Sequence, residues 1–235
     1  MACASLVRVG PLRQAFWALL GRADGRLRER TRFLGGHRAV QLEQGRMCIS
    51  DGAVLLDLRL EEDAGIEAVC AHGGGQVWTH KQAGIAARGS VRLDGGPARE
   101  IEALAVIDDT AGYHARDTQW QWTAGVGESP EGVALAWNLV TGVNDPPHGS
   151  ERAVWVAGSP SEAPPVAFAP DLSMISCVDG SELRFLAEAE RSRSQNLLII
   201  QSDYRAPFGA FSGTLPGGIS LAHGLGVVEH HRARW

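Results

Sequence analysis

Nothing in these 235 residues is apolar for long enough to span a bilayer, which takes about 20 such residues in a row. The apolar cluster near the start, AFWALL at 15–20, is far too short, and no small-residue cleavage site follows it. It reads as a short amphipathic helix or an irregular lead-in, and the chain as a cytoplasmic protein with no membrane span. An excess of positive charge is missing too. Lys and Arg number 22 against 27 Asp and Glu, for a net charge of −5, so no basic face is left to neutralise phosphates and nucleic acid is excluded as a partner. The run RADGRLRERTR at 22–32 reads as a solvated basic turn.

Paired cysteines are also lacking. Cys3, Cys48, Cys70 and Cys177 lie far apart with no CxxC spacing, which argues against a zinc site and a disulfide scaffold and for buried thiols in a reducing compartment. GxSxG, the P-loop, the dinucleotide fingerprint and HExxH are all missing. Gly73-Gly74-Gly75 reads as a turn. No metal and no cofactor is expected.

What the sequence does have is glycine, 29 residues of it, set between short apolar segments. From Ala53 the run AVLLDLRLEE alternates, with Val54, Leu56, Leu58 and Leu60 on one face and Asp57, Arg59 and Glu61 on the other, the period of a half-buried strand. Similar segments follow at 66–71, 76–81, 84–93, 100–107, 118–126, 132–142, 153–157, 166–169, 174–178, 183–187, 197–202, 208–215 and 226–231. GSPSEAPP at 158–165 and Pro146-Pro147 are loops. A dozen or more short strands without a helical period predict an all-β antiparallel barrel or sandwich. The pattern pauses near 107–113, which divides the chain into an N-terminal β region, 1–107, and a C-terminal barrel, 108–235, unless the two form one continuous domain.

The stretch DDTAGYHARDTQWQW at 108–122 concentrates polar and aromatic groups. On an extended strand Arg116, Thr118, Trp120 and Trp122 share one face. Turned into a barrel, that face is an apolar wall with indole N–H donors and a guanidinium anchor, suited to a hydrophobic small molecule. Alternatively the indoles fill the core, and function lies in a protein-contact surface. Trp137 and Asn138 follow on the next strand, where the amide either braces backbone groups or meets a ligand. Asp108, Asp109, Glu151, Glu162 and Glu229 are the candidate carboxylates, with His114, His230 and His231 as proton-transfer partners. Of these, Glu229, Asp109 and His230 are the expected catalytic set. If the protein is an enzyme, acid-assisted hydration, isomerisation or cyclisation of an unsaturated substrate suits a pocket with a buried, protonated carboxyl.

Three segments, DTAGYHARDTQWQW (109–122), VALAWNLVTGVNDPPHGSERAVWVAG (133–158) and YRAPFGAFSGTLPGGISLAHGLGVVEHHRARW (204–235), are similar to the bacterial proteins grouped as domain of unknown function 2804. The resemblance implies a tandem lipocalin-like architecture, distantly like carotenoid 1,2-hydratase and lipocalin-like cyclases, with the first barrel shortened. By matching position it adds Glu151, Trp155, Phe208 and Phe211 to the ligand-binding candidates and marks Trp235 as a motif residue; Tyr204, which opens the third segment, is a further ligand-binding candidate. It brings no established catalytic role, and fold kinship does not carry a reaction. The oligomeric state is not legible.

Overall fold

The structure, a computed structural model, describes residues 1–33, 35–197 and 200–234. Trp235 and residues 198–199 of the expected 197–202 strand lie outside the described residues. No helix among the described residues is long and apolar enough to cross a membrane. The chain groups into two units, residues 1–63 with 85–105 and residues 64–84 with 106–235.

The first unit opens with the antiparallel sheet β1 (Ala2–Val9), β2 (Leu12–Gly21) and β3 (Arg26–Arg32). AFWALL therefore lies in a strand, where a helix or irregular lead-in was expected. Ala15, Trp17 and Leu19 alternate into the core, while Ala18 and Leu20 are buried as well, and so short an apolar run has no periodicity that separates strand from helix. A single helical turn, α1 (Gly36–Ala39), leads to β4 (Val40–Glu43), β5 (Arg46–Asp51) and β6 (Val54–Leu60). The alternation read from Val54 holds, with Val54, Leu56 and Leu58 buried beside Ile49, Val40 and Trp17. Buried Asp51 accepts hydrogen bonds from Trp17 Nε1 (3.0 Å), Arg30 (2.9 Å) and Arg32. Arg32 is the main cause that holds its carboxyl down at about 2.

Two long strands serve both units. After β7 (Ile66–His72), β8 runs from Gly75 to Leu93, pairing with β7 over its first residues and with β6 over 87–93. β9 (Arg99–Gly112) pairs with β8. The segments expected at 76–81 and 84–93 are thus one strand. Gly84, at φ 75°, lets the chain bend there without reversing.

In the second unit β10 (Asp117–Glu128), β11 (Ala134–Thr141), β12 (Ala153–Val156), β13 (Ser159–Glu162), β14 (Val166–Phe168), β15 (Met174–Cys177), β16 (Glu182–Leu197), β17 (Ile200–Leu215) and β18 (Ile219–Arg234) form a nine-stranded sheet, ordered β13-β12-β11-β10-β18-β17-β16-β15-β14. Every pair is antiparallel. Part of the expected 158–165 loop is β13, an edge strand, where Pro160 removes a ladder donor at little cost. The sheet curls into a half-barrel of lipocalin-like type, and its inside is filled by Leu135, Trp137, Leu139, Phe185, Phe211 and their neighbours. Glycine makes room for the indole, since a Cβ at Gly125 or Gly224 would collide with the Trp137 ring. The opposite face packs Ala136, Ala153, Trp155 and Val126 against Ile66 and Ala83 of β7–β8 and Val106 of β9.

Candidate functional site

Alternation and register decide which side chains share that opposite face. Ala136 and Val126 lie on it, so Asn138 of β11 and Trp120, Trp122 and Ala124 of β10 lie on it too. Across the β10–β18 ladder Trp122 faces Glu229 and Trp120 faces His231, and across β17–β18 His231 faces Tyr204. Opposed to this wall, Ala83 and Val106 point toward the sheet, and by the same two-residue period so do Thr79 and Lys81 of β8 and Asp108 and Thr110 of β9. Side chains of six strands, β8, β9, β10, β11, β17 and β18, thus converge from distant parts of the sequence.

Glu229 is central to the wall. Trp120 Nε1 donates to its Oε1 at 2.8 Å, Tyr204 donates to it as well, and His231 Nδ1 lies 3.8 Å away. Its side chain is 15% exposed. Burial pushes the carboxyl up to about 7, against the pull of the Trp120 and Tyr204 donors; Asp108 adds to the rise and Lys81 opposes it. His231 packs on Trp120 with ring centroids 4.3 Å apart and edge-on to Tyr204 at 5.3 Å, and it shares a 2.8 Å hydrogen bond with Ser202 through Nε2. Burial lowers it to about 4, so the imidazole is neutral at pH 7. Arg191 lies 5.1 Å from the Tyr204 ring centroid, a cation–π arrangement.

The second cluster is built around Lys81, 2% exposed, whose ammonium pairs with Asp108 and lies 3.5 Å from Glu151. Burial opposes its charge, but the two carboxylates outweigh that and its pKa is raised. Burial also raises the Glu151 carboxyl. Asn144 donates to Glu151 at 2.9 Å while its backbone carbonyl accepts from the Glu151 N–H. Asn144 has φ 51°, and its buried Oδ1 has no hydrogen-bond partner among the described residues. Strain and an under-satisfied polar atom together mark a place the surrounding loop over-determines. The two clusters are joined through Asn138. It accepts from Trp122 Nε1 at 2.7 Å and donates to the Glu151 carbonyl at 2.8 Å, so its amide braces the site.

The structure brings Glu229, Trp120, Trp122, Tyr204, Asn138 and Glu151 together, keeps Thr118, Trp155 and Phe208 on the same face, and sets the other expected residues elsewhere. Trp137 and Phe211 lie inside the half-barrel, their rings 4.9 Å apart, on the face away from Trp120 and Trp122, because residues 137 and 138 alternate. Phe208 is buried, and Trp155 sits in the alanine-lined layer of the other face. Thr118 is buried and donates to the Ala115 carbonyl; Arg116 is exposed just before β10. His230 is on the reverse face from Glu229, beside Gln119 at 3.0 Å, leaving His231 as the histidine next to the carboxyl. Asp109 is exposed and alternates away from Asp108. Lys81, Thr79 and Asn144 were not anticipated. The available signal was a lysine in phase with the inward series Val77, Thr79 and Ala83, legible only once β8 is known to be a buried strand.

A model of the family described as a domain of unknown function, 2804, matches residues 31–235. No curated protein matches the chain. Among solved structures, kievitone hydratase from Nectria haematococca is similar over 97% of this chain and 82% of its own, with a TM-score of 0.64 at 12% identity. A putative AttH from Nitrosomonas europaea aligns over 93% of this chain and 80% of its own, with a TM-score of 0.49 at 13% identity. At 12% identity the likeness to the hydratase is one of fold.

Proposed function

We propose that this chain, which belongs to the family described as domain of unknown function 2804, binds an apolar, unsaturated small molecule against Trp120 and Tyr204, and that Glu229 donates a proton to it. The reaction is addition of water, isomerisation or cyclisation. The observation that carries this reading is the Glu229 carboxyl, raised to about 7 and still 15% exposed. An acid of that strength is protonated for a large fraction of the time near neutral pH and can give its proton up, which is the condition for general acid catalysis. The indole and phenol donors then receive the carboxylate left behind, and the aromatic rings beside it favour developing positive charge on the substrate. That a hydratase shares the fold agrees with this chemistry, while the residues supply the argument.

The test is a tryptophan fluorescence titration with terpenoids, unsaturated fatty acids and other lipids. Any ligand that quenches saturably is then incubated in D2O, and incorporation is followed by mass spectrometry. Glu229→Gln is expected to keep binding and to lose about a hundredfold or more in turnover. Full turnover by that variant would end the assignment. A second reading is favoured by the filled interior, where Trp137 is 0% exposed: a non-catalytic β protein that acts through its surface. It predicts no saturable quenching by any member of the panel.

A further inference from the structure

The carboxylate that faces the Glu229 wall from β9 is Asp108, and its surroundings are built to hold it in place. Lys81 pairs with it from β8. Thr110 Oγ1, two residues along the same strand face, donates to it at 2.9 Å and is itself 3.1 Å from the hydroxyl of Thr79, which is wholly buried. Lys81 is in turn fixed by Glu151, and Glu151 is tied through Asn138 to Trp122, the direct cross-strand partner of Glu229. Of the three charged groups in this cluster, Lys81 and Glu151 are nearly sealed, at 2% and 6% side-chain exposure, and Asp108 is 38% exposed. The accessible member is the base; the sealed members aim it.

We propose that Asp108 is the second carboxyl of the Glu229 site, the two acting on one bound molecule as an acid–base pair in which Glu229 gives a proton and Asp108 takes one. This rests on the reading of Glu229 as proton donor. The pair narrows the reaction to addition or removal of water at a double bond. In the forward direction the Glu229 O–H bond breaks as the alkene π pair forms a C–H bond. A water oxygen forms the C–O bond at the other carbon and passes a proton to Asp108. The product is an alcohol, nothing is oxidised or reduced, and solvent returns the proton from Asp108 to Glu229. Lys81 is a positioning residue, since its ammonium is occupied by Asp108 and Glu151. Among the described residues, the titratable groups that act on Glu229 are Tyr204 of β17, His231 of β18, Lys81 of β8 and Asp108 of β9, with Arg191 of β16 beyond the Tyr204 ring, and Asp108 is the carboxylate of this set.

Infrared difference titration of the full chain from pH 4 to 9 reads the pair without a substrate. Glu229→Gln identifies the Glu229 band. Asp108→Asn, a near-isosteric change at a partly exposed position, removes one negative charge from the site and is expected to lower the Glu229 midpoint by about 0.5 to 1 pH unit. Asp109→Asn, at the neighbouring exposed carboxylate on the reverse face, is expected to move it by less than about 0.2 unit, because solvent screens it. Equal shifts from the two variants, or no shift from Asp108→Asn, would overturn the pairing and leave the donor role of Glu229 standing. Absence of any wild-type band that titrates near 7 and vanishes in Glu229→Gln would bring down both.

Discussion

Replacing Lys81 with Met tests the buried cluster most directly. The side chain is 2% exposed and lies 3.5 Å from Glu151, whose side chain is 6% exposed, while the other partner, Asp108, is 38% exposed. Methionine fills similar volume, so the perturbation is loss of charge more than loss of packing. Asp108 falls back on water; Glu151 does not have that recourse. Removing one member of a sealed ion pair costs about 3–5 kcal/mol, chiefly from the charge left behind. Because burial already raises the Glu151 carboxyl, loss of the ammonium raises it further. A raised folded-state pKa in an acid means that the penalty is absent below the unfolded value of 4.5 and grows as pH rises through the folded one. Lys81→Met is therefore expected to show a large loss of urea midpoint at pH 7, with unchanged slope, and a smaller loss at pH 5. Adding Glu151→Gln is expected to recover most of the loss at pH 7. A single variant within about 1 kcal/mol of wild type, or a double variant no better than the single, would refute the claim that the lysine offsets a sealed carboxylate.

Two further outcomes follow from the same geometry. Glu229 is raised from 4.5 to about 7, so the protein is expected to lose stability as pH climbs from about 4.5 through 7 and to level off above. Glu229→Gln should flatten that slope and gain on the order of 2–3 kcal/mol at pH 8; urea midpoints across the range check it. Trp137→Ala, in the sealed centre of the half-barrel, should cost about 3–5 kcal/mol and leave the Glu229 infrared midpoint where it was, because the indole lies on the other face of the sheet. A shifted midpoint would mean that the two faces are coupled.

Much of the β architecture was legible because strand burial writes itself into period two. Val54, Leu56 and Leu58 alternate in the sequence as they do in the core, and the T-x-W-x-W segment is a strand with its two indoles on one face. Errors came where local signals are ambiguous by nature. AFWALL is too short for its periodicity to separate helix from strand, a proline reads as a loop signal although an edge strand tolerates it, and a break was expected between 81 and 84 where the positive φ of Gly84 lets β8 bend and continue. The site was half legible. Glu229, Trp120 and Asn138 stood out by residue type and setting, whereas Tyr204 entered only with a segment that carries the family resemblance. Lys81 did not, because its meaning depends on the phase of a strand whose length was underestimated. Asp109 was preferred to Asp108 in the expected catalytic set, because β9 was expected to stop at 107 and the phase that turns Asp109 outward is set only by its continuation to Gly112.

Local patterning along the chain establishes the antiparallel strands, the shared face of the indoles on β10, and the lack of any familiar nucleophile, phosphate or metal motif. Those properties depend on neighbours one to four residues apart. Long-range packing, in contrast, fills the curled interior with Trp137 and Phe211 and turns Trp120 and Trp122 the other way. It alone brought Lys81, Asp108, Glu151 and Glu229 together from positions up to 148 residues apart. Side-chain direction in a strand flips with each residue, so register and strand length, which packing sets, determine which of two adjacent carboxylates meets the site and which meets water.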